Sequence, residues 1–404
     1  MPEIHVCLAS EQLLANVIPA LMRRPAVIHL VVSDIMTGKG EELRRFLENK
    51  GFQVELHKHA PDADASQILE YAEDLALRLH DQYGSESLVL NATGGNKLMA
   101  LGFVPAFKQI GVQVIYTNTQ YRRLEILDRV CVAEPMTEVL DVPTYLEAQG
   151  MIYRSAASDD AAWVARADGR KALTKYLAEN VKVLDSFIGA LNGLVSGRRD
   201  QRGALSPDGR ALDSPVQRFD SQPRGAWARA MKRIREAGLV DWSGGKEVEF
   251  RDVESARYLG GQWLEEYAWH VAHDSGLHDV RCNVQGTWTG TAKRHAPRNE
   301  FDLLAVHHNR MLVVECKTLR LDNGAGQEKG QTIVTKLDSL GRNAGGLFGT
   351  SLLLSAREPQ DVLANRCRSL GIPLRKGKDI TRLRDDILQW KQSGRVSGAG
   401  RALD

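Results

Sequence analysis

The sequence predicts an α/β protein of three units, and three observations carry that reading. Strand and helix patterns alternate over roughly the first 130 residues, the texture changes near Thr144, and a new strand-rich stretch opens at Gly260. At 404 residues the chain exceeds one ordinary core, so two or three domains are expected.

In the first unit, apolar runs at Ile4–Ala9, Val27–Val32, Val54–His57, Ser87–Leu90 and Val112–Thr117 have strand length. Helical periodicity fills the gaps at Gln12–Met22, Gly40–Lys50, Ser66–Tyr83 and Lys97–Gln109. Such alternation with short links predicts a parallel sheet covered on both faces, a Rossmann-like arrangement whose ligands gather at the carboxyl ends of the strands. In the middle, Lys171–Gly193 has apolar residues at helical spacing, and Ser196–Arg224 lacks a period and predicts a mobile loop. A helix at Ala226–Ala237 followed by a short hairpin to Phe250 has the outline of a small winged-helix-like unit. The last unit predicts an aromatic-rich helix at Gly261–Ala272 and strands at Val280–Trp288, Phe301–Val306, Met311–Glu315 and Gly349–Ser355. Its helices are expected at Thr332–Arg342, Asp361–Leu370 and Ile380–Lys391, and the Gly-rich end at Ser393–Asp404 is expected to fray. The expected units are 1–145, 146–256 and 257–392, with a flexible tail over 393–404.

Composition is that of a soluble globular protein, 43% hydrophobic and 26% charged. A net charge of +2, from 53 basic and 51 acidic residues, excludes a histone-like polycation but not a local basic patch. Cys7, Cys131, Cys282, Cys316 and Cys367 stand apart with no CxxC, which predicts reduced thiols and neither a zinc ribbon nor a redox pair. The opening MPEIHVCLASEQ has no basic stretch before a long apolar run, and no segment reaches a membrane span. A cytoplasmic protein with no membrane partner is expected.

The stretch NEFDLLAVHHNRMLVVECKTLR, residues 299–320, is the strongest chemical signal. Two apolar strands flank the turn His308–Asn309–Arg310, and a hairpin brings the start of one strand near the end of the next. Asp302 and Glu315 should therefore lie together. Two carboxylates held close repel unless a cation bridges them, and hard oxygen donors favour Mg2+ or Mn2+. Such an ion polarises a phosphate and lowers the pKa of a water beside it. Lys317, two residues beyond Glu315, points to the same side and can orient that water or stabilise charge on the phosphorus centre. Glu265 on the preceding helix would add a ligand or hold a water, with Glu266 as the competing choice because helix phase is open. The constellation predicts metal-dependent phosphodiester hydrolysis.

The first unit carries its own signal in SLVLNATGGNKLMALGF, residues 87–103. Asn91, Thr93, Gly94, Gly95 and Asn96 form a turn between a strand and a helix, and Lys97 opens that helix. Paired glycines permit close backbone approach, the helix amino end offers N–H groups to an anion, and Lys97 adds charge. The turn is neither GxGxxG nor a Walker loop, so a dinucleotide or ATP is not expected.

Residues Asp302-(x12)-Glu315-Cys316-Lys317, with the upstream helix GQWLEEY and the downstream GGLFGTSLLLSA, resemble the PD-(D/E)XK nuclease superfamily. The resemblance places metal ligands at Asp302, Glu315 and the Cys316 carbonyl, and the catalytic lysine at Lys317. Phe301 stands where the family has its proline. The Asn91–Lys97 turn resembles that of CRISPR-associated Rossmann-fold (CARF) sensor domains, which bind cyclic oligoadenylate across a homodimer. Two further loops fit that pattern: Ser10 and Gln12 after the first strand would meet a ribose or an adenine edge, and Asn118 sits after the last core strand. The two halves together are similar to CARF-domain ancillary nucleases of type III CRISPR systems. That resemblance implies a homodimer activated by cyclic tetra-adenylate that cuts RNA or DNA with Mn2+ or Mg2+ in antiviral defence. Arg294 and Arg298 before the hairpin, and Arg320 and Arg342 after it, would line a nucleic-acid track. Three alternatives remain open: a constitutive restriction or repair nuclease with a dimerising first domain, a ligand-sensing transcription regulator using Ala226–Phe250 as a winged helix, and a ring nuclease that cuts its own ligand.

Overall fold

The computed structural model describes residues 2–119, 121–128, 132–197, 201–289, 299–319, 325–359 and 361–398. Strands β1 (Ile4–Leu8), β2 (Val27–Val31), β3 (Gln53–His57), β4 (Leu88–Asn91) and β5 (Gln113–Asn118) pair in parallel in the order β3-β2-β1-β4-β5. Helices α1 (Leu14–Arg23) and α2 (Thr37–Asn49) cover one face, where Leu14, Val17, Leu43 and Phe46 meet Cys7, Ile28 and Leu30. Helices α3 (Ala65–Tyr83) and α4 (Lys97–Gln109) cover the other, where Ile68, Leu75 and Phe103 meet Val6, Leu8 and Val31. Two covered faces explain why β1, β2 and β4 are buried along their whole length and read as unbroken apolar runs.

The sheet is extended by an antiparallel hairpin, β6 (Arg123–Ile126) and β7 (Val132–Pro135), that the apolar runs did not reveal. Both strands are short and carry exposed residues, so neither makes a hydrophobic run. Asp141 then caps α5 (Val142–Ala148) through the Thr144 N–H, and β8 (Met151–Ser155) follows.

The middle of the chain differs from the single long helix expected over Lys171–Gly193. Helix α6 (Ala161–Glu179) begins earlier, under an Asp160 cap, and α7 (Asp185–Ser196) follows a break. Asn180 sits at that break and turns its amide back to the Tyr176 carbonyl, a local bond that competes with helix continuation. The expected loop over 196–224 also contains structure. β9 (Val216–Arg218) pairs with β11 (Glu247–Phe250), and with β10 (Val240–Asp241), which follows α8 (Ala226–Glu236), they form a three-stranded sheet; Gln217 is buried with its amide donating to the Arg202 and Ser214 carbonyls.

Next, α9 (Val253–Arg257) leads through a π-type turn into α10 (Trp263–Asp274). Gly261 makes the turn at φ +147, where a Cβ would stand 2.7 Å from the Thr318 hydroxyl. Strands β12 (Asp279–Trp288), β13 (Asn299–His307) and β14 (Arg310–Lys317) run antiparallel. After α11 (Ala325–Gly345), β15 (Gly349–Ser355), α12 (Asp361–Ser369), β16 (Leu374–Lys376) and α13 (Leu383–Ser393) complete the domain. The six-stranded order is β16-β15-β14-β13-β12-β8, so a strand from the connecting segment forms one edge.

The core does not divide cleanly between the units. Leu304, Val306, Met311 and Val313 on one face of the C-terminal sheet share a continuous apolar cluster with Leu14 and Phe46 of the first unit. The Tyr145 hydroxyl of α5 donates to the Gly345 carbonyl at 2.7 Å, at the end of α11. Just beyond, a Cβ on Gly346 would lie 2.6 Å from Gln149 Nε2 and 3.3 Å from Gln12 Oε1. Cys7, Cys282, Cys316 and Cys367 are free and buried, and Cys131 lies outside the described residues. Among the described residues no helix is long and apolar enough to cross a membrane.

Candidate active site

The C-terminal sheet opens at one point. β13 and β14 pair up to Leu303–Val314, where the ladder stops. The next residue pair is Asp302 and Glu315, side by side on one face. In place of a backbone partner, the Cys316 N–H donates to Asp302 Oδ2 at 2.7 Å. The strand on the far side is irregular here too. β12 pairs with β13 at Cys282–Leu303 and Val284–Phe301 but skips Asn283, which has φ +53. Asp302 therefore sits in a fork between strands.

Lys317 closes the fork. Its ammonium lies 2.7 Å from Glu315 Oε1, 3.2 Å from Asp302 Oδ2 and 2.9 Å from the Cys316 carbonyl. Those oxygens are the set assigned by resemblance to a divalent ion. A lysine ammonium is the cation that stands at their centre here, which shows that the donor set can hold positive charge. All the donors are hard oxygens, so the residues fit Mg2+ or Mn2+. All three side chains are largely buried, which strengthens the mutual charge effects. Burial and the Asp302 charge push the Glu315 carboxyl up, while Lys317 and Lys336 of α11 pull it back. The two flanking carboxylates push the Lys317 ammonium up against the cost of burial, so it remains charged.

Glu265, in the first turn of α10, completes the group. Burial first, then the Asp302 charge, push its carboxyl up to about 8, opposed by Lys317 and by a hydrogen bond with the Asn283 side chain. The phase question between Glu265 and Glu266 is answered by a partner 96 residues away. Glu266 turns the other way and forms a buried ion pair with Arg170 of α6, whose guanidinium also lies 4.2 Å from the Tyr258 ring centre. Asn283 and Lys336 were not anticipated. Asn283 follows a buried cysteine in an unremarkable strand, and its left-handed backbone was the missing signal. Of the expected basic track, Arg294, Arg298 and Arg320 lie outside the described residues, and Arg342 pairs with Asp338 at 2.8 Å on the surface of α11.

The N-terminal crevice lies at the carboxyl ends of β1, β4 and β5, where the strand order reverses between β1 and β4. Ser10 and Gln12 follow β1, the turn from Asn91 to Lys97 follows β4, and Asn118 ends β5. Asn91 is fully buried. Its amide donates to the Ala15 carbonyl and Asn16 Oδ1, and its Oδ1 accepts from the Thr93 N–H and hydroxyl. Thr93 in turn accepts from the Thr117 N–H at 2.7 Å. These residues hold the turn's shape, and Asn16 and Thr117 join them. Gly94 is required by space, since a Cβ would stand 2.0 Å from the Leu8 carbonyl oxygen, and Gly95 by its φ of +70. Asn96 caps α4 by accepting the Met99 N–H, which leaves Lys97 exposed at the helix's first position. Asn118 donates to Glu125 at 3.0 Å across the β5–β6 hairpin. Ser10 stays at the rim, its hydroxyl 3.5 Å from the Gln12 carbonyl, whereas Gln12 points toward Gly346 at the domain junction.

Residues 4–145 match the family described as the Card1 CARF domain, and residues 252–394 match the Card1-like endonuclease domain. Among solved structures, protein VC1899 from Vibrio cholerae aligns with a TM-score of 0.80 at 20% identity, covering 98% of this chain and 99% of that one. Can2 from Sulfobacillus thermosulfidooxidans, solved in complex with cyclic tetra-adenylate, aligns with a TM-score of 0.75 at 19% identity over 96% of this chain and 97% of that one. A type III CRISPR defence DNA nuclease described as activated by cyclic oligoadenylate aligns with a TM-score of 0.52 at 16% identity, over 89% of this chain and 46% of that one. At these identities the likeness is one of fold. No curated protein matches the chain.

Proposed function

The chain belongs to the CARF-domain nucleases, joining a Card1 CARF domain to a Card1-like endonuclease domain, and we propose that it is a divalent-metal-dependent endonuclease switched on by a cyclic oligoadenylate in type III CRISPR defence. The observation that carries the nuclease half is the convergence of Asp302, Glu315 and the Cys316 carbonyl on one cation position, with Glu265 beside it. A divalent ion held there supplies Lewis acidity to the scissile phosphate and acidifies a neighbouring water. Asp302, Glu315 and the Cys316 carbonyl would hold the ion. Lys317, beside the same oxygens, would face the phosphate, where its ammonium would offset the charge that grows during attack. Glu265, buried beside Asp302, would add a ligand or hold a water next to the ion.

For the sensor half, the support is the fold of a CARF domain, the crevice at the strand-order reversal, and the likeness of the whole chain to Can2, whose solved structure holds cyclic tetra-adenylate. Ser10, the Gly94–Gly95 backbone, Lys97 and Asn118 line the ligand's site, with Asn91, Thr93 and Asn96 setting the turn. A two-fold cyclic ligand suits a two-fold dimer. Leu69 and Leu77 of α3 and Leu101 of α4 are 38%, 55% and 72% exposed on neighbouring helices and provide the apolar face for it.

The test is a cleavage panel of single- and double-stranded DNA and RNA in Mn2+, with and without cyclic tetra-adenylate, on wild type, Glu315→Ala, Lys317→Ala and Lys97→Ala. Cleavage should require the activator and vanish in the first two variants, while Lys97→Ala should bind labelled cyclic tetra-adenylate more weakly. Cleavage by both nuclease-site variants would remove the active-site assignment. Activity without the activator would instead favour a constitutive nuclease.

A further inference from the structure

Away from the fork, at the opposite end of the β13–β14 hairpin, a second group of ligating side chains meets at the junction of the two domains. Glu138, on the segment leaving the first sheet, faces His307 and His308 at the hairpin turn. Glu138 Oε1 lies 2.9 Å from His307 Nδ1 and 3.5 Å from His308 Nδ1, and His278 Nδ1 lies 3.6 Å from Oε2. One donor atom each from Glu138, His307 and His308 falls within 4.8 Å of the others. Ligands around a tetrahedral ion with bonds of about 2.0–2.1 Å are about 3.3 Å apart, so the spacing is that of a coordination shell.

His307 supplies an independent observation. Its side chain is only 9% exposed, yet neither ring nitrogen has a hydrogen-bond partner among the described residues. The short approach to Glu138 is not aimed along an N–H. A buried imidazole left this way costs free energy unless something else binds it. The surroundings are also rigid. Asn309 Oδ1 accepts the N–H groups of Val139 and Leu140, its amide donates to the Thr137 carbonyl, and Glu138 Oε1 accepts the His308 N–H at 2.6 Å. The turn holds His308 at φ +51 and Asn309 at φ +56, a hairpin geometry usually left to glycine, so the clamp keeps His308 in an unfavourable conformation.

The geometry points to a zinc-class structural ion held by Glu138, His307 and His308, stapling the exit of the sensor domain to the nuclease hairpin. Two imidazoles and one carboxylate select a borderline ion such as Zn2+, whereas the all-oxygen fork around Glu315 selects Mg2+ or Mn2+.

The test uses the full-length chain, stripped with chelator and titrated with Co2+ alone. Wild type and Glu315→Ala should both develop the visible ligand-field band of four-coordinate Co2+, at one equivalent per chain, and Zn2+ should bleach it. His308→Ala and Glu138→Gln should lose the band while keeping the circular dichroism of the wild type. Both lie at half-buried positions, so the result does not depend on the deeply buried His307. Absence of the band in wild type, or its persistence in both of these variants, overturns the site. A band lost in Glu315→Ala and kept in His308→Ala places the ion in the nuclease fork and overturns it equally.

Discussion

Replacing Glu265 by glutamine should stabilise the metal-free protein, and by an amount that depends on pH. The carboxyl is pushed from an ordinary value near 4.5 up to about 8 by burial and by Asp302. Between those values the folded state binds a proton that the unfolded state has released, so stability falls as pH rises through the window. Glutamine keeps the neutral shape and has no proton to lose. At pH 7 the difference is the cost of keeping the acid protonated 2.5 pH units above its ordinary value, about 3 kcal/mol at 1.36 kcal/mol per unit. At pH 5 it is under about 1 kcal/mol, and above pH 8 it levels off. In a chain of 404 residues, at about 2.1 cal/mol/K per residue, about 3 kcal/mol corresponds to roughly 3–4 °C in the melting midpoint. The assay is thermal denaturation in EDTA at pH 5, 7 and 8.5, followed by the same series in Mn2+. In EDTA the variant should melt higher, with a gap that widens from pH 5 to pH 8.5. In Mn2+ the wild type should gain more than the variant. A gap that stays constant with pH would show that the site does not hold this carboxyl protonated, and the reasoning from burial would fail.

Arg170→Ala leaves Glu266 buried without its cation and should cost about 3–5 kcal/mol in urea denaturation, whereas Arg170→Met with Glu266→Leu should recover most of the loss. Gly94→Ala drives a methyl into the Leu8 carbonyl and should cost about 1–3 kcal/mol by thermal melting, together with weaker binding of cyclic tetra-adenylate. Leu101→Glu should shift the sedimentation coefficient from that of two chains to that of one, and an unchanged coefficient would remove α4 from the dimer face.

What the sequence made legible was whatever is local along the chain. Asp302, Glu315 and Lys317 belong to one hairpin, so periodicity and a turn were enough to bring them together. The inner strands β1, β2 and β4 could be read because each is buried on both faces and leaves an unbroken apolar run. The choice between Glu265 and Glu266 was not local. Arg170, far upstream, fixes the phase of α10 by binding Glu266, and nothing near either glutamate announces it. Asn91 and Thr93 were visible as polar residues at a strand end, but only packing shows that their side chains are committed to Ala15, Asn16 and Thr117. The edge strand β8 escaped notice because an edge needs only a short segment, and its partner β12 begins more than a hundred residues later.

The contact at Gly346 has a mechanical consequence. Gln12 leaves the carboxyl end of β1 at the rim of the crevice, and its side chain and that of Gln149 meet Gly346, where a Cβ would stand 3.3 Å from Gln12 Oε1 and 2.6 Å from Gln149 Nε2. Gly346 follows α11, a rod of about 30 Å at 1.5 Å per residue, and Lys336 on that rod acts on Glu315. A close-packed seam has no void in which to absorb a displacement. Trimming Gln12 or Gln149 to alanine would open space at this junction between the first unit and the end of α11, so a change in cyclic-tetra-adenylate-dependent cleavage in those variants would show that the contact transmits the signal.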